Sequence, residues 1–389
     1  MLFERPNLER RILSAFEATP PRIPVLIGGS GSGRTSVLLR IAQQLGDGGS
    51  QYIDAERSAS TPEGFYSSVI AHTPYVLDYS LPANTDRPAR VAFDALLAFF
   101  REARTHNGGT STFLIDELLE LRTFQNFPGL RGVLREFLQT LSGSQNRFLL
   151  ATRFVSRAQR LLSDAPDRFD VIHVPPFSPA EVSVALLAKG IGRDDPERNE
   201  LARMIYALTD GQPTYVQALA QTLAFMDGAS SGDPVSALSA QLAVGAHLYL
   251  HCRFCYELRL HRARGYGALK AILQILGDEE PLTLTEISHR LGRTPGSTKD
   301  YLSWLEDVDL VSVSQKRYSF GDSVLRLWVR LHCRPEPPDE DDISREAQEY
   351  AVSRLPYLEH TPATTETAHS LVSDGSPERE RGWSMIEID

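Results

Sequence analysis

The sequence is poor in cysteine, has no long uninterrupted apolar run and carries no excess of positive charge. Three cysteines among 389 residues cannot build a disulfide framework, so we expect a reducing, cytoplasmic setting. The apolar run at residues 91–100 is interrupted by Asp94 and is too short to cross a bilayer. The first residues also lack the basic and apolar pattern of a signal peptide. We therefore expect no membrane partner.

The net charge of −10 is confined to one end of the chain. Residues 335–389 hold 14 acidic and 4 basic side chains, whereas the remainder of the sequence is balanced. This segment is also rich in proline, serine and threonine, a composition that predicts an acidic, disordered tail. A short helix near residues 343–355 is the alternative within it. The acidic overall charge therefore says little about the folded part of the protein.

An apolar strand at residues 25–27 runs into a glycine-rich turn and then into a helical pattern. Four glycines allow the backbone to turn tightly, so that free N–H groups and the positive end of the following helix face an anion. The spacing predicts a phosphate-binding loop, and Thr35 supplies a hydroxyl for Mg²⁺. The predicted nucleotide-binding residues are Gly28, Gly29, Ser30, Gly31, Ser32, Gly33, Arg34, Thr35 and Ser36.

One position of this loop departs from the usual pattern. Gly28, Gly33 and Thr35 fit G-x-x-x-x-G-K-[ST], but Arg34 stands where lysine is expected. Arginine keeps the charge and is bulkier and forked, so we expect nucleotide binding with slow hydrolysis, in which Arg34 takes part. A glycine-rich loop without any ligand is the alternative.

A second apolar strand, residues 111–115, ends in the acidic pair Asp116 and Glu117. It follows the glycine-rich turn by about 80 residues and resembles a Walker B motif. This resemblance implies that Asp116 orients Mg²⁺ through water and that Glu117 polarises the water that attacks the terminal phosphate.

Further segments resemble the AAA+ and STAND-like P-loop ATPases of the archaeal type. The strand at residues 147–151 ends in Thr152 and Arg153, where these proteins place a sensor of the terminal phosphate. Arg168, just before the next strand, resembles an arginine finger, which implies a homo-oligomer whose subunits complete each other's sites. Pro213 resembles the lid proline near base and ribose, and Thr214 replaces the arginine that follows it in many AAA+ proteins.

Residues 265–330 show three helical patterns followed by two short strands, and they resemble a winged helix-turn-helix domain. This unit contains 8 basic and 9 acidic side chains, which favours an unidentified protein partner or autoregulation over duplex DNA. Basic residues near its third helix and wing leave a duplex DNA contact open.

Together these features predict an α/β protein with a parallel-sheet P-loop NTPase core, a helical lid and a C-terminal winged helix. The predicted boundaries are 1–177 for the core, 178–264 for the lid and linker helices, 265–334 for the winged helix and 335–389 for the tail. We expect an ATP- and Mg²⁺-dependent molecular switch with weak ATPase activity. The alternative is a DNA-binding regulator that holds nucleotide without hydrolysing it.

Overall fold

A five-stranded parallel sheet organises the first half of the chain. The computed structural model describes residues 4–46, 48–76, 88–226, 232–261, 263 and 265–355. Neighbouring strands of the sheet all pair in parallel in the order β2-β3-β4-β1-β5. The strands are β1 (Ile23–Ile27), β2 (Gln51–Asp54), β3 (Thr112–Asp116), β4 (Arg147–Thr152) and β5 (Phe169–His173).

Helices cover both faces of this sheet, which is why β1 and β3 are buried throughout. An apolar cluster lies on each face of the sheet. Val25 and Ile27 belong to the larger of these two clusters, and Leu26 belongs to the smaller one with α1 and α2. The helices of this half are α1 (Pro6–Glu17), α2 (Arg34–Leu45), α3 (Ala55–Ser58), α4 (Pro62–Ala71), α5 (Pro88–Glu102), a 3₁₀ helix (Leu118–Asn126), α6 (Val133–Gly143) and α7 (Val155–Leu162). The glycine-rich turn and the acidic pair therefore lie at the same carboxyl edge of the sheet.

The second half is mostly helical. A capping box at Ser178 and Glu181 begins its first helix, as the sequence predicts. Its elements are α8 (Pro179–Leu187), α9 (Asp195–Thr209), α10 (Pro213–Met226), α11 (Pro234–Leu242), α12 (His247–Leu260), α13 (Tyr266–Asp278), β6 (Leu282–Thr283), α14 (Leu284–Leu291), α15 (Pro295–Asp307), β7 (Val311–Ser314), β8 (Arg317–Phe320), α16 (Ser323–His332) and α17 (Glu340–Arg354).

Strands β6, β8 and β7 form a small antiparallel sheet in that order beside α13, α14 and α15. The winged-helix assignment of this unit stays a prediction, as do the predicted domain boundaries. Most of the linker predicted at residues 228–234 lies outside the described residues. Within the described ranges, no helix has the length and apolar character needed to span a bilayer.

Helix α17 corrects the prediction of a tail that is disordered from residue 335 onward. It is longer than the short helix considered for residues 343–355, and it buries Ile343, Ala347 and Ala351 against the helical half. Glu346 is also buried, in ion pairs with Arg330 and Arg334. The high charge of this segment predicted disorder, and that prediction was wrong for α17. A stripe of three apolar residues is enough to dock a helix on an existing core. Residues 356–389 lie outside the described part.

Candidate functional site

The glycine-rich turn between β1 and α2 has the backbone of an anion-binding loop. Gly31 and Gly33 have φ angles of +81° and +88°, a conformation that favours glycine. A Cβ built on Gly28 would lie 2.8 Å from Ser32 Oγ, so a larger residue there would displace the Ser32 side chain. Helix α2 begins at Arg34, so its free N–H groups face the turn.

Arg34 folds back across this turn and is 6% exposed. Its Nη1 donates to the carbonyl oxygens of Gly28 and Gly29, the latter at 3.0 Å. Its Nη2 lies 2.7 Å from Glu117 Oε1 in a buried ion pair. Burial lowers the pKa of Arg34, while the charges of Glu117 and Asp116 raise it. The forked guanidinium thus joins the loop to the acidic pair.

The next residue of α2 contacts the other member of that pair. Thr35 Oγ1 donates to Asp116 Oδ2 at 2.5 Å, and the hydroxyl of Tyr52 donates to the same oxygen at 3.2 Å. The backbone N–H of Glu117 donates to Asp116 Oδ1 at 3.0 Å. A hydroxyl and a carboxylate side by side form the oxygen-rich set that Mg²⁺ prefers.

Glu117 lies between two arginines. Its Oε2 accepts the backbone N–H of Arg153 at 3.1 Å and lies 3.2 Å from the Nε of that residue. Burial raises the pKa of Glu117, whereas the charges of Arg34 and Arg153 lower it. Arg153, 3% exposed, also pairs with Glu56 at 2.8 Å and Glu120 at 3.5 Å. The carboxylate therefore has both oxygens engaged in this structure.

The other predicted residues of this site take different positions. Thr152 is fully buried at the end of β4, and its hydroxyl accepts the backbone N–H of Phe154 at 3.4 Å. It is therefore Arg153, rather than Thr152, that contacts Glu117. Ser36 lies in the first turn of α2 and is half-buried.

The loop holds two buried polar atoms that fit a phosphate. Ser32 Oγ and Arg34 Nε have no hydrogen-bond partner within the described residues. Both can donate, and an unpaired buried donor is costly unless an acceptor approaches it. Phosphate oxygens are such acceptors, so the donor set of the loop fits the phosphates of a nucleotide, with Thr35 and Asp116 beside them for Mg²⁺.

Comparison with known proteins yields a match at the level of the fold. No family model matches the chain, and no curated protein matches its sequence. A Walker-type ATPase of Pyrococcus abyssi superimposes on 84% of this chain and 96% of its own with a TM-score of 0.59 at 16% identity. The chain has the α/β fold of that protein. This likeness confirms the fold class predicted from the loop and the acidic pair.

Two other solved structures resemble the chain more distantly. The Orc1 protein of Aeropyrum pernix, solved in complex with DNA, has a TM-score of 0.44 at 16% identity over 92% of this chain and 94% of its own. A STAND protein of Pyrococcus horikoshii with a tetratricopeptide repeat sensor has a TM-score of 0.36, and this chain covers 46% of it.

The finger role of Arg168 stays a prediction, and in the structure its side chain is bonded within its own chain. Its guanidinium donates to the carbonyl oxygens of Pro21, at 2.9 Å, of Ser144, at 2.7 Å, and of Ser142. Arg168 also precedes β5, and its carbonyl accepts the N–H of Ile23 at the amino edge of the sheet. Its side chain therefore links the start of the sheet to the end of α6.

The helices predicted to form a lid contact the outer side of the loop at the start of α10. Gln212 donates to the carbonyl oxygen of Ser30 at 3.0 Å. The carbonyl oxygen of Gly31 accepts both the N–H and the hydroxyl of Thr214, at 3.2 and 3.1 Å. Pro213 begins α10 beside Gly33, so its predicted place near base and ribose stays a prediction. Sequence reasoning missed the contacts of Gln212 and Thr214, because both depend on the path of the lid.

We expect Gly31→Ala to destabilise the protein by about 1–2 kcal/mol. The positive φ angle disfavours alanine, and the added methyl would lie 2.8 Å from Thr214 Oγ1 and 3.1 Å from His251 Nε2. Gly29→Ala is the matched control, since nothing lies within 4 Å of its Cβ position. The thermal unfolding midpoints of the two ligand-free variants test this. Equal midpoints would show that the lid does not press on the loop.

Proposed function

We propose that the protein binds ATP with Mg²⁺ at residues 28–36 and hydrolyses it slowly. One observation carries the proposal: two consecutive residues of the loop contact the two acids that follow β3. Arg34 pairs with Glu117 at 2.7 Å and Thr35 bonds to Asp116 at 2.5 Å. Two segments about 80 residues apart thus converge on one phosphate-binding turn, as triphosphate chemistry requires.

The roles of the residues follow from these contacts. Ser32, Arg34 and the loop N–H groups would bind the phosphates, and Thr35 and Asp116 would hold Mg²⁺, which neutralises charge on the phosphates. Glu117 would accept a proton from the attacking water. A phosphate must first draw Arg34 away from Glu117, because the guanidinium is already held by three acceptors. This exchange supports slow turnover.

The C-terminal unit supports a switch, because it is held against the core next to the site. The N–H and hydroxyl of Ser156 donate to Asp309 Oδ1 at 3.1 and 2.6 Å. Asp307 pairs with Arg157 at 2.6 Å and with Arg160. These core residues follow β4 directly, so a change at the terminal phosphate would reach the docked unit through α7.

The test is calorimetric binding of ATP with and without Mg²⁺. We expect Mg²⁺-dependent binding by the native chain, weakened about tenfold in Thr35→Val, because the hydroxyl oxygen for the metal is lost. Thr140→Val is the control, since the Thr140 hydroxyl donates to the Glu136 carbonyl within its own helix. Absence of ATP binding at millimolar concentration would refute the proposal.

The alternative of a DNA-binding regulator has no observation in its favour. Asp307, the last residue of α15, is ion-paired to Arg157 and Arg160 of α7. Contact with duplex DNA, the protein partner and the homo-oligomer remain predictions from the sequence.

A further inference from the structure

Asp116 is held by three donors, and one of them belongs to neither nucleotide motif. Thr35 follows the glycine turn, and the N–H of Glu117 belongs to the acidic pair itself. The third donor, the hydroxyl of Tyr52, comes from β2, the strand that neighbours β3 at the sheet edge. Strand register fixes this contact, because Tyr52 pairs with Leu114 and Asp54 pairs with Asp116.

The two hydroxyls meet on one oxygen of the carboxylate. Asp116 Oδ2 lies 2.5 Å from Thr35 Oγ1 and 3.2 Å from the oxygen of Tyr52. A carboxylate held from two sides cannot turn about its terminal bond without breaking a hydrogen bond. The Thr35 hydroxyl would also be a metal ligand. Tyr52 is therefore the side-chain donor whose role would be limited to holding Asp116 in place.

The environment of Tyr52 keeps its hydroxyl protonated. Burial raises the pKa of Tyr52, and the charges of Asp116, Asp54 and Glu117 raise it further. The neutral hydroxyl is the form that donates to Asp116 Oδ2.

We propose that Tyr52 is a positioning residue that orients Asp116 toward Mg²⁺. This inference rests on the proposed function, since it concerns the metal that accompanies ATP. Outer groups that orient metal-binding carboxylates typically contribute 10–100-fold to metal affinity. Tyr52 itself touches neither metal nor nucleotide in this role.

The full chain offers a matched pair of tyrosines for the test. Tyr75 is likewise bonded to β3, but at its opposite end, where its hydroxyl donates to the Thr112 carbonyl at 2.7 Å and accepts the Thr112 N–H at 2.9 Å. Tyr52→Phe and Tyr75→Phe each remove one hydroxyl bonded to the same strand. Only Tyr52→Phe should alter the affinity for Mg²⁺.

The readout is the Mg²⁺ concentration that half-saturates ATP binding, measured by calorimetry. We expect it to rise about tenfold in Tyr52→Phe and to stay within twofold of the native value in Tyr75→Phe. Mn²⁺ affinity in the presence of ATP, from electron paramagnetic resonance, should change in parallel. ADP binding in the presence of a chelator should be unchanged in both variants, which shows that the loop is intact.

Each other outcome has a distinct meaning. If Tyr52→Phe keeps the native Mg²⁺ dependence, the positioning role is wrong and the proposed function stands. An equal loss in both variants also overturns the role, because it would reflect general weakening of β3. If the native chain binds ATP without any dependence on Mg²⁺, or binds no ATP, the proposed function fails and the inference fails with it.

Discussion

Glu117→Gln is expected to lower ATP turnover by at least about 100-fold while ATP still binds. A positioned general base contributes about 10²–10⁴ to the rate, and glutamine cannot accept a proton from water. Glutamine also removes the negative charge that holds Arg34 at 2.7 Å, so that guanidinium becomes available to the phosphates. Affinity for ATP should therefore equal or exceed that of the native chain. Steady-state phosphate release and calorimetry measure the two quantities.

Glu120→Gln is the control for this experiment. Glu120 lies in the 3₁₀ helix that begins directly after Glu117, and its carboxylate approaches Arg153 at 3.5 Å. We expect its turnover to stay within about threefold of the native value. Unchanged turnover in Glu117→Gln, or an equal fall in both variants, would remove Glu117 from the role of base.

Arg34→Met is expected to destabilise the nucleotide-free protein by about 3 kcal/mol. The substitution leaves Glu117 buried with one arginine instead of two, and the carbonyl oxygens of Gly28 and Gly29 lose their donor. Losing one member of a buried ion pair is costly, because the remaining charge keeps its desolvation penalty. Urea unfolding of the ligand-free chain, monitored by circular dichroism, provides the measurement.

The double variant Arg34→Met, Glu117→Gln separates the ion pair from general damage to the loop. Removing both charges should cost about 1–3 kcal/mol less than the sum of the two single changes, because neither charge is left alone. Strictly additive losses would mean that the contact between these side chains contributes nothing. Arg101→Met on α5 is a suitable reference, since Arg101 and its partner Glu102 are both exposed.

The sequence was sufficient to predict the elements that follow from local chemistry. Buried strands run continuously apolar, and the glycines of the loop and the acids after β3 stand at spacings fixed by phosphate binding. The helix at Pro62–Ala71 shows such local signals, because Thr61 caps it and proline begins it. Such signals lie within a few residues of the feature that they predict.

The missed features depend on residues that are distant in the chain. Arg168 bonds to carbonyl groups of two other segments, and such acceptors carry no side-chain signature. Tyr52 is remote from both nucleotide motifs, and only the register of β2 against β3 brings it to Asp116. The sequence does not give the strand order. With that order known, the polar residues of the strand beside the acidic pair would have been candidates for the site.

Helix α17 has a mechanical consequence for the phosphate-binding turn. Arg354 pairs with Asp210, and the hydroxyl of Tyr350 donates to the Leu208 carbonyl at 2.9 Å. Gln212, two positions beyond Asp210, donates a hydrogen bond to the carbonyl oxygen of Ser30. A force that pulls α17 off the protein must therefore either move the turn or break these bonds first. The helix is in this way mechanically coupled to the site.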